Sequence, residues 1–139
     1  MTLNNRQDME LHFIYNSNML QEREAFGYIT SLANHSVRDT DVYKNGMTER
    51  MLADLASKLD VKLNELFDTT HEKYQSEIAN ADFEDNDILK MISEDMSLLR
   101  TPILESNDSA EFVKGPYQTI QVDMAVKSIS EQMSNKDEK

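Results

Sequence analysis

The chain has 139 residues, 39% of them hydrophobic and 29% charged, with no cysteine. A domain of that length buries roughly 70% of its unfolded surface, so one core can form without disulfides, and thiolate metal sites are excluded. The formal charge of -12, from 26 acidic and 14 basic side chains, argues against nucleic acid and anionic membrane surfaces as partners, and no apolar run is long enough to span a bilayer.

Residues 1–10 are polar and hold no apolar signal-peptide core, so the expected address is cytoplasmic. Residues 1–8 are expected to be a flexible N-terminus, residues 9–133 a single domain and residues 134–139 a charged, frayed tail. Leu11, His12, Phe13, Ile14 and Tyr15 form a short apolar run that breaks at Asn16, Ser17 and Asn18, the pattern of a buried strand leading into a turn. A helix follows, capped by Ser17 or Asn18 and running to Asn34. Glu22 and Glu24 suit its first turns, and Leu20, Ala25, Phe26, Tyr28, Ile29 and Leu32 give it an inward face. Residues 36–43 read as a second strand, with Val37 and Val42, ended by the turn dipeptide Asn45-Gly46. A βαβ unit is the economical interpretation.

From Thr48, a cap three residues before Met51, the period becomes helical, with Met51, Leu52, Leu55 and Leu59 on one face. Three short helices are predicted next: one opened by Asp60 over residues 61–67, one opened by Thr69 or Thr70 over 71–79, and one opened by Asp82 or Asp85 over 86–93. In the last, Ile88, Leu89, Met91 and Ile92 face inward. Residues 47–96 are thus a helical insertion. Beyond it, Pro102, Ile103 and Leu104 pair as a hairpin with Glu111, Phe112, Val113 and Lys114, ahead of Gly115-Pro116, and a final helix covers about 123–133. This order fits an α/β fold: a small mixed sheet covered by helices.

Four patterns in that order resemble the ArsC-type arsenate reductase family, whose thioredoxin-like fold is shared by Spx-type regulators and glutaredoxins. The resemblance spans roughly residues 10–130 and predicts a thioredoxin-like, mixed four-stranded sheet flanked by helices, with the insertion between strands 2 and 3. Residues 13–24 are similar to the family's opening strand, its Asn-Pro-x-Cys turn and an arginine four residues after the cysteine; Asn16, Arg23 and Glu24 agree with it. Residues 60–68, followed by Tyr74, are similar to a helix ending Leu-Leu-Arg with a tyrosine six residues on. Residues 83–89 match the start of the helix before the third strand. Leu98, Leu99, Arg100, Thr101, Pro102 and Ile103 resemble the family's Arg-Pro-Ile, whose proline is cis and borders the active site.

The departures fall on the residues that would do chemistry. Met19 stands at the cysteine position, Asp68 where the helix-end arginine would be, and Thr101 in place of the arginine before the proline, with Arg100 one position away. Near Gly115-Pro116 the last anion-binding arginine has no clear equivalent; Lys114 is the nearest cation. A thioether cannot supply the nucleophile, leaving group and redox centre that a thiolate combines in one atom. Losing a charged transition-state stabiliser costs hundreds-fold in rate as well. The catalytic set is therefore read as none, with Met19, Asp68 and Thr101 as degenerate site positions.

Asn16, Ser17, Asn18, Arg23, Arg100 and Pro102 remain as candidate ligand-binding residues, since free amides at a helix N-terminus can hold an anion. Neither a cofactor nor a metal is expected: His12, His35 and His71 match no ligand spacing, and the acids at 82, 84, 85 and 87 lack the glycine and final carboxylate of a calcium loop. The expected role is non-catalytic, regulatory or protein-binding, with another protein as the partner. The alternative is a ligand-binding protein or a reductase-related enzyme that reuses the ArsC-type cleft.

Overall fold

Strand β1 (Glu10–Tyr15) occupies the middle of a four-stranded sheet because both of its faces are apolar: Leu11, Phe13, Ile14 and Tyr15 are all buried. The structure is a computed structural model that describes residues 10–31 and 36–113. Helix α1 (Leu20–Ser31) carries the chain over one face to strand β2 (Ser36–Asp41), which pairs in parallel with β1, Leu11 opposite Val37 and Tyr15 opposite Asp41. This is the expected βαβ unit. Strands β3 (Ile103–Glu105) and β4 (Ala110–Phe112) form the hairpin; β3 lies antiparallel to β1, giving the order β2-β1-β3-β4.

Between β2 and β3 lie helix α2 (Glu49–Leu59), a 3-10 turn (Leu63–Leu66), a single π turn (Tyr74–Ile78), helix α3 (Asp85–Glu94) and a second 3-10 turn (Met96–Leu98). Alternation along β1 divides the core. Phe13 and Tyr15 pack with Ala25, Ile29 and Leu104 on the α1 side, where the Tyr15 and Phe26 rings stack at 4.7 Å. Ile14 and Ile103 pack with Leu52, Leu55, Ile88, Ile92 and Leu98 on the other side. Each fully buried Ile or Leu here contributes about 1.5–3 kcal/mol relative to exposure.

Several local expectations are corrected. Helix α1 buries Glu22, Ala25 and Ile29, whereas Leu20 is 60% and Tyr28 37% exposed. Leu20 precedes Glu22 by two residues and so sits about 200° around the helix from the buried stripe. Met51 is likewise exposed, the face of α2 being Leu52, Leu55 and Ala56. Thr48 caps that helix through its hydroxyl, which accepts the Met51 N–H at 3.1 Å. Asp60 does not open the next helix. It closes α2 in the left-handed region, with φ 58°, and its N–H returns to the carbonyls of Ala56 and Ser57. The segment predicted as a helix over 71–79 is helical over residues 72–78, ending in the π turn, and Asp68 ahead of it accepts the Thr70 N–H and hydroxyl. His35, Lys114, Gly115-Pro116, the final helix and both predicted flexible ends lie outside the described residues.

Candidate functional site

The site forms where β1 ends and α1 begins, and its first property is that the loop consumes its own amides. Asn16 N–H donates to Glu22 Oε1 at 2.8 Å, Ser17 N–H to Asp41 Oδ1 at 3.0 Å, Asn18 N–H to Asn16 Oδ1 at 2.9 Å, and Met19 N–H to the Asn16 carbonyl at 3.1 Å. Anion binding at a helix N-terminus depends on such donors pointing at the ligand. Here four successive donors point at protein oxygens. Arg23 Nη1 donates to the Ser17 carbonyl at 2.6 Å, which ties the guanidinium to the outside of the same loop.

A second segment supplies the opposite wall. Residues 66–68 run antiparallel to 98–100: Arg100 N–H donates to the Leu66 carbonyl at 2.7 Å, Asp68 N–H to that of Leu98 at 2.8 Å, and Phe67 bridges Leu99. The Thr101–Pro102 bond is cis, and the Pro102 carbonyl accepts the Val113 N–H at 2.8 Å. Together these segments enclose a cavity of about 620 Å³ whose walls include Met19, Glu22, Asp68, Arg100, Thr101 and Pro102. Of the residues singled out from sequence, Met19, Asp68, Arg100, Thr101 and Pro102 are thus brought together. Asn16, Ser17, Asn18 and Arg23 form the neighbouring loop and do not line the cavity.

Glu22 is the site residue that sequence reasoning missed. It is only 3% exposed, and burial pushes its carboxyl pKa up. Hydrogen bonds from the Asn16 N–H and the Thr101 hydroxyl oppose that rise, and the charge of Asp68 adds to it. The available signal was positional: Glu22 stands three and seven residues before Ala25 and Ile29, in the buried stripe. Asp41, 6% exposed, behaves in the opposite way. Burial alone would raise its pKa, but hydrogen bonds from the Ser17 hydroxyl and N–H and the Tyr43 N–H hold it below the usual carboxylate value. Two buried carboxylates therefore organise the loop that carries Met19.

The cavity's charge is inverted relative to an oxyanion site. Glu22, Glu65 and Asp68 line it against one guanidinium, that of Arg100, whose central carbon lies 4.1 Å from the Phe112 ring centre. Among the described residues no group of three His, Asp or Glu side chains is placed to hold a metal ion. His12 bonds to Glu105 at 2.8 Å and Thr40 at 2.7 Å, and His71 to Ser97 at 3.0 Å, in separate parts of the molecule.

No protein-family model matches the sequence, and no curated protein matches it at a significant level. Solved structures do. An arsenate reductase from Vibrio cholerae superposes with a TM-score of 0.70 at 16% identity, covering 81% of this chain and 97% of its own. A Yersinia pestis protein provisionally assigned as an arsenate reductase gives 0.70 at 14%, covering 80% and 98%. An ArsC-related protein from Brucella melitensis gives 0.62 at 15%, covering 80% and 92%. At these identities the likeness establishes the fold: the chain has the thioredoxin-like fold of the ArsC-type reductases, in a sequence without cysteine.

Proposed function

We propose that this chain is a cytoplasmic, non-catalytic protein of ArsC/Spx type that acts through contacts with another protein at the cleft beside Met19. The observation that carries this reading is the company Met19 keeps: a thioether shares one cavity with Glu22, Asp68 and Thr101, where arsenate reduction needs a thiolate and cations. No covalent route to arsenate starts from a thioether, and an arsenate or phosphate dianion placed there would meet three carboxylates against the single guanidinium of Arg100. The amides of residues 16–19, which could have offset part of that repulsion, already have acceptors. The chain keeps the ArsC-type frame while its cleft disfavours ArsC-type chemistry.

The test is an arsenate reduction assay on the purified protein with glutathione and glutaredoxin as the electron supply, run beside Met19→Ala. Both proteins are expected at background; turnover that survives Met19→Ala would assign chemistry to another residue and refute the proposal. Calorimetric titration with arsenate, phosphate, sulfate and glutathione adds the binding arm. A dissociation constant below about 10 μM, ~7 kcal/mol, would favour the alternative in which the cleft serves as a small-ligand site.

A further inference from the structure

Three carboxylates line the Met19 cavity, and none of them forms an ion pair among the described residues. Three other described acids do pair: Glu105 with Lys58 and His12, Glu10 with Arg38, and Glu94 with Lys90. Glu22 is the extreme case, buried with two hydrogen bonds from neutral donors and no counter-cation. A buried carboxylate that has hydrogen bonds but no counter-cation is costly to ionise, and a cation beside it would lower that cost.

The occupant's chemistry can be narrowed further. A metal ion is disfavoured because no three His, Asp or Glu side chains converge among the described residues. An anion is disfavoured by the sign of the wall. The remaining lining is mixed: Gln21, Asn64, Thr69, Thr70 and Thr101 are polar, whereas Ala25, Val113 and Pro102 are apolar and Phe67 and Tyr74 form a tilted ring pair 5.5 Å apart. Long cationic side chains suit such a space, since their methylene stems pack on apolar walls while the charged head reaches carboxylates and ring faces. At the head of α1, Met19 lines the cavity and is still 44% exposed. A free amine would leave that apolar side chain uncovered, whereas a polypeptide would not. The overall charge of -12 steers basic protein surfaces toward the molecule.

We propose that the cavity receives the side chain of a lysine or arginine presented by a segment of a partner protein, whose neighbouring apolar residues cover Met19. The inference rests on the reading of this cleft as a protein-contact site and names the chemistry of the contact: Asp68, Glu65 and Glu22 hold the cationic head, and Phe67 and Tyr74 flank its stem.

Fluorescence anisotropy on the intact chain at low salt tests it with short labelled peptides of sequence Gly-Leu-X-Leu-Gly, where X is lysine, arginine or norleucine, and with cadaverine as a free-amine competitor. The lysine or arginine peptide is expected to bind at least about tenfold tighter than the norleucine peptide. Asp68→Asn and Glu65→Gln should each reduce that preference several-fold without weakening the norleucine peptide. Both variants keep an oxygen to accept the Thr70 and Lys62 N–H groups, so folding is preserved. Equal binding of the charged and norleucine peptides, absence of binding by any of them, or cadaverine binding as tightly as the peptide would each overturn the inference. None of these outcomes touches the non-catalytic reading, which fails only on turnover or on tight anion or glutathione binding.

Discussion

The Glu22 carboxylate accepts the backbone N–H of Asn16 at 2.8 Å, so an acid from the first turn of α1 occupies the donor that opens the site loop. A carboxylate built into that position makes an internal substitute for a bound anion, held by the chain itself. It also leaves a buried negative charge against Asp68.

Replacing Glu22 by Gln keeps an acceptor for Asn16 and removes the charge. Burial raises the folded-state pKa of Glu22 above its ordinary value of 4.5. The group's contribution to stability is then complete below about 4.5 and is lost as pH rises through the raised folded value. Glu22→Gln should therefore be at least as stable as the parent at pH 7 to 8, with the advantage vanishing near pH 4. Melting temperatures across that range check it, and a Gln variant less stable at pH 8 than at pH 4, relative to the parent, would contradict the sign.

Asp41 anchors the same loop from the β2 side. Its carboxylate takes the N–H groups of Ser17 and Tyr43 at 3.0 and 3.1 Å. Truncation in Asp41→Ala leaves both donors without that acceptor at a buried position, a cost on the order of 1–3 kcal/mol. Because its folded pKa is lowered from 3.8, this stabilisation is present above that value and is lost as pH falls through the folded one. Amide hydrogen exchange at Ser17 and Tyr43 should accelerate in the variant, and unchanged protection would mean that the loop is held by other contacts.

The four strands and their succession along the chain were legible because β1 is apolar on both faces, Val37 and Val42 mark the next strand, and Pro102 precedes a clear hairpin. Met19, Asp68 and Thr101 could be placed near one another only through the resemblance, since the antiparallel pairing of 66–68 with 98–100 leaves no periodic trace in sequence. Glu22 was hidden for a different reason. An acid in a helix's first turn has an ordinary electrostatic explanation, and only the position of the buried stripe, fixed by tertiary packing, turns it inward. Asp60 was misplaced on similar grounds, because an aspartate suits an N-cap and also tolerates the left-handed conformation that ends α2.

Away from the site, Glu105 on β3 receives His12 Nδ1 at 2.8 Å and Lys58 Nζ at 3.0 Å, linking β1 and α2 across one side of the sheet. Burial opposes ionisation, yet the hydrogen bonds and charges of His12 and Lys58 prevail and hold its pKa below 4.5. Glu105→Gln should cost about 1–3 kcal/mol at neutral pH, since two charge-assisted bonds weaken together. The loss should shrink as pH falls from about 4.5 through the lowered folded value, where the parent also becomes neutral. Urea unfolding midpoints at pH 7 and near pH 3 report the difference, and an equal penalty at both would assign the effect to packing.

Restoring the sulfur alone tests the electrostatic reading of the cavity most directly. A thiol at a helix N-terminus beside cations ionises well below its free value near 8.5. In Met19→Cys the thiol would instead share the cavity with Glu22, Glu65 and Asp68, balanced by Arg100 alone, while the loop amides stay committed to Glu22, Asp41 and Asn16. Negative neighbours disfavour the thiolate, so the pH midpoint of iodoacetamide alkylation should lie at or above about 8.5, and arsenate reduction should remain at background. Adding Asp68→Arg should lower that midpoint by about one unit or more, because a repelling charge becomes an attracting one across the same cavity. A midpoint below about 7 in the single variant would show that the helix terminus still supplies positive potential, and that Met19 is the cleft's main departure from a working thiol site.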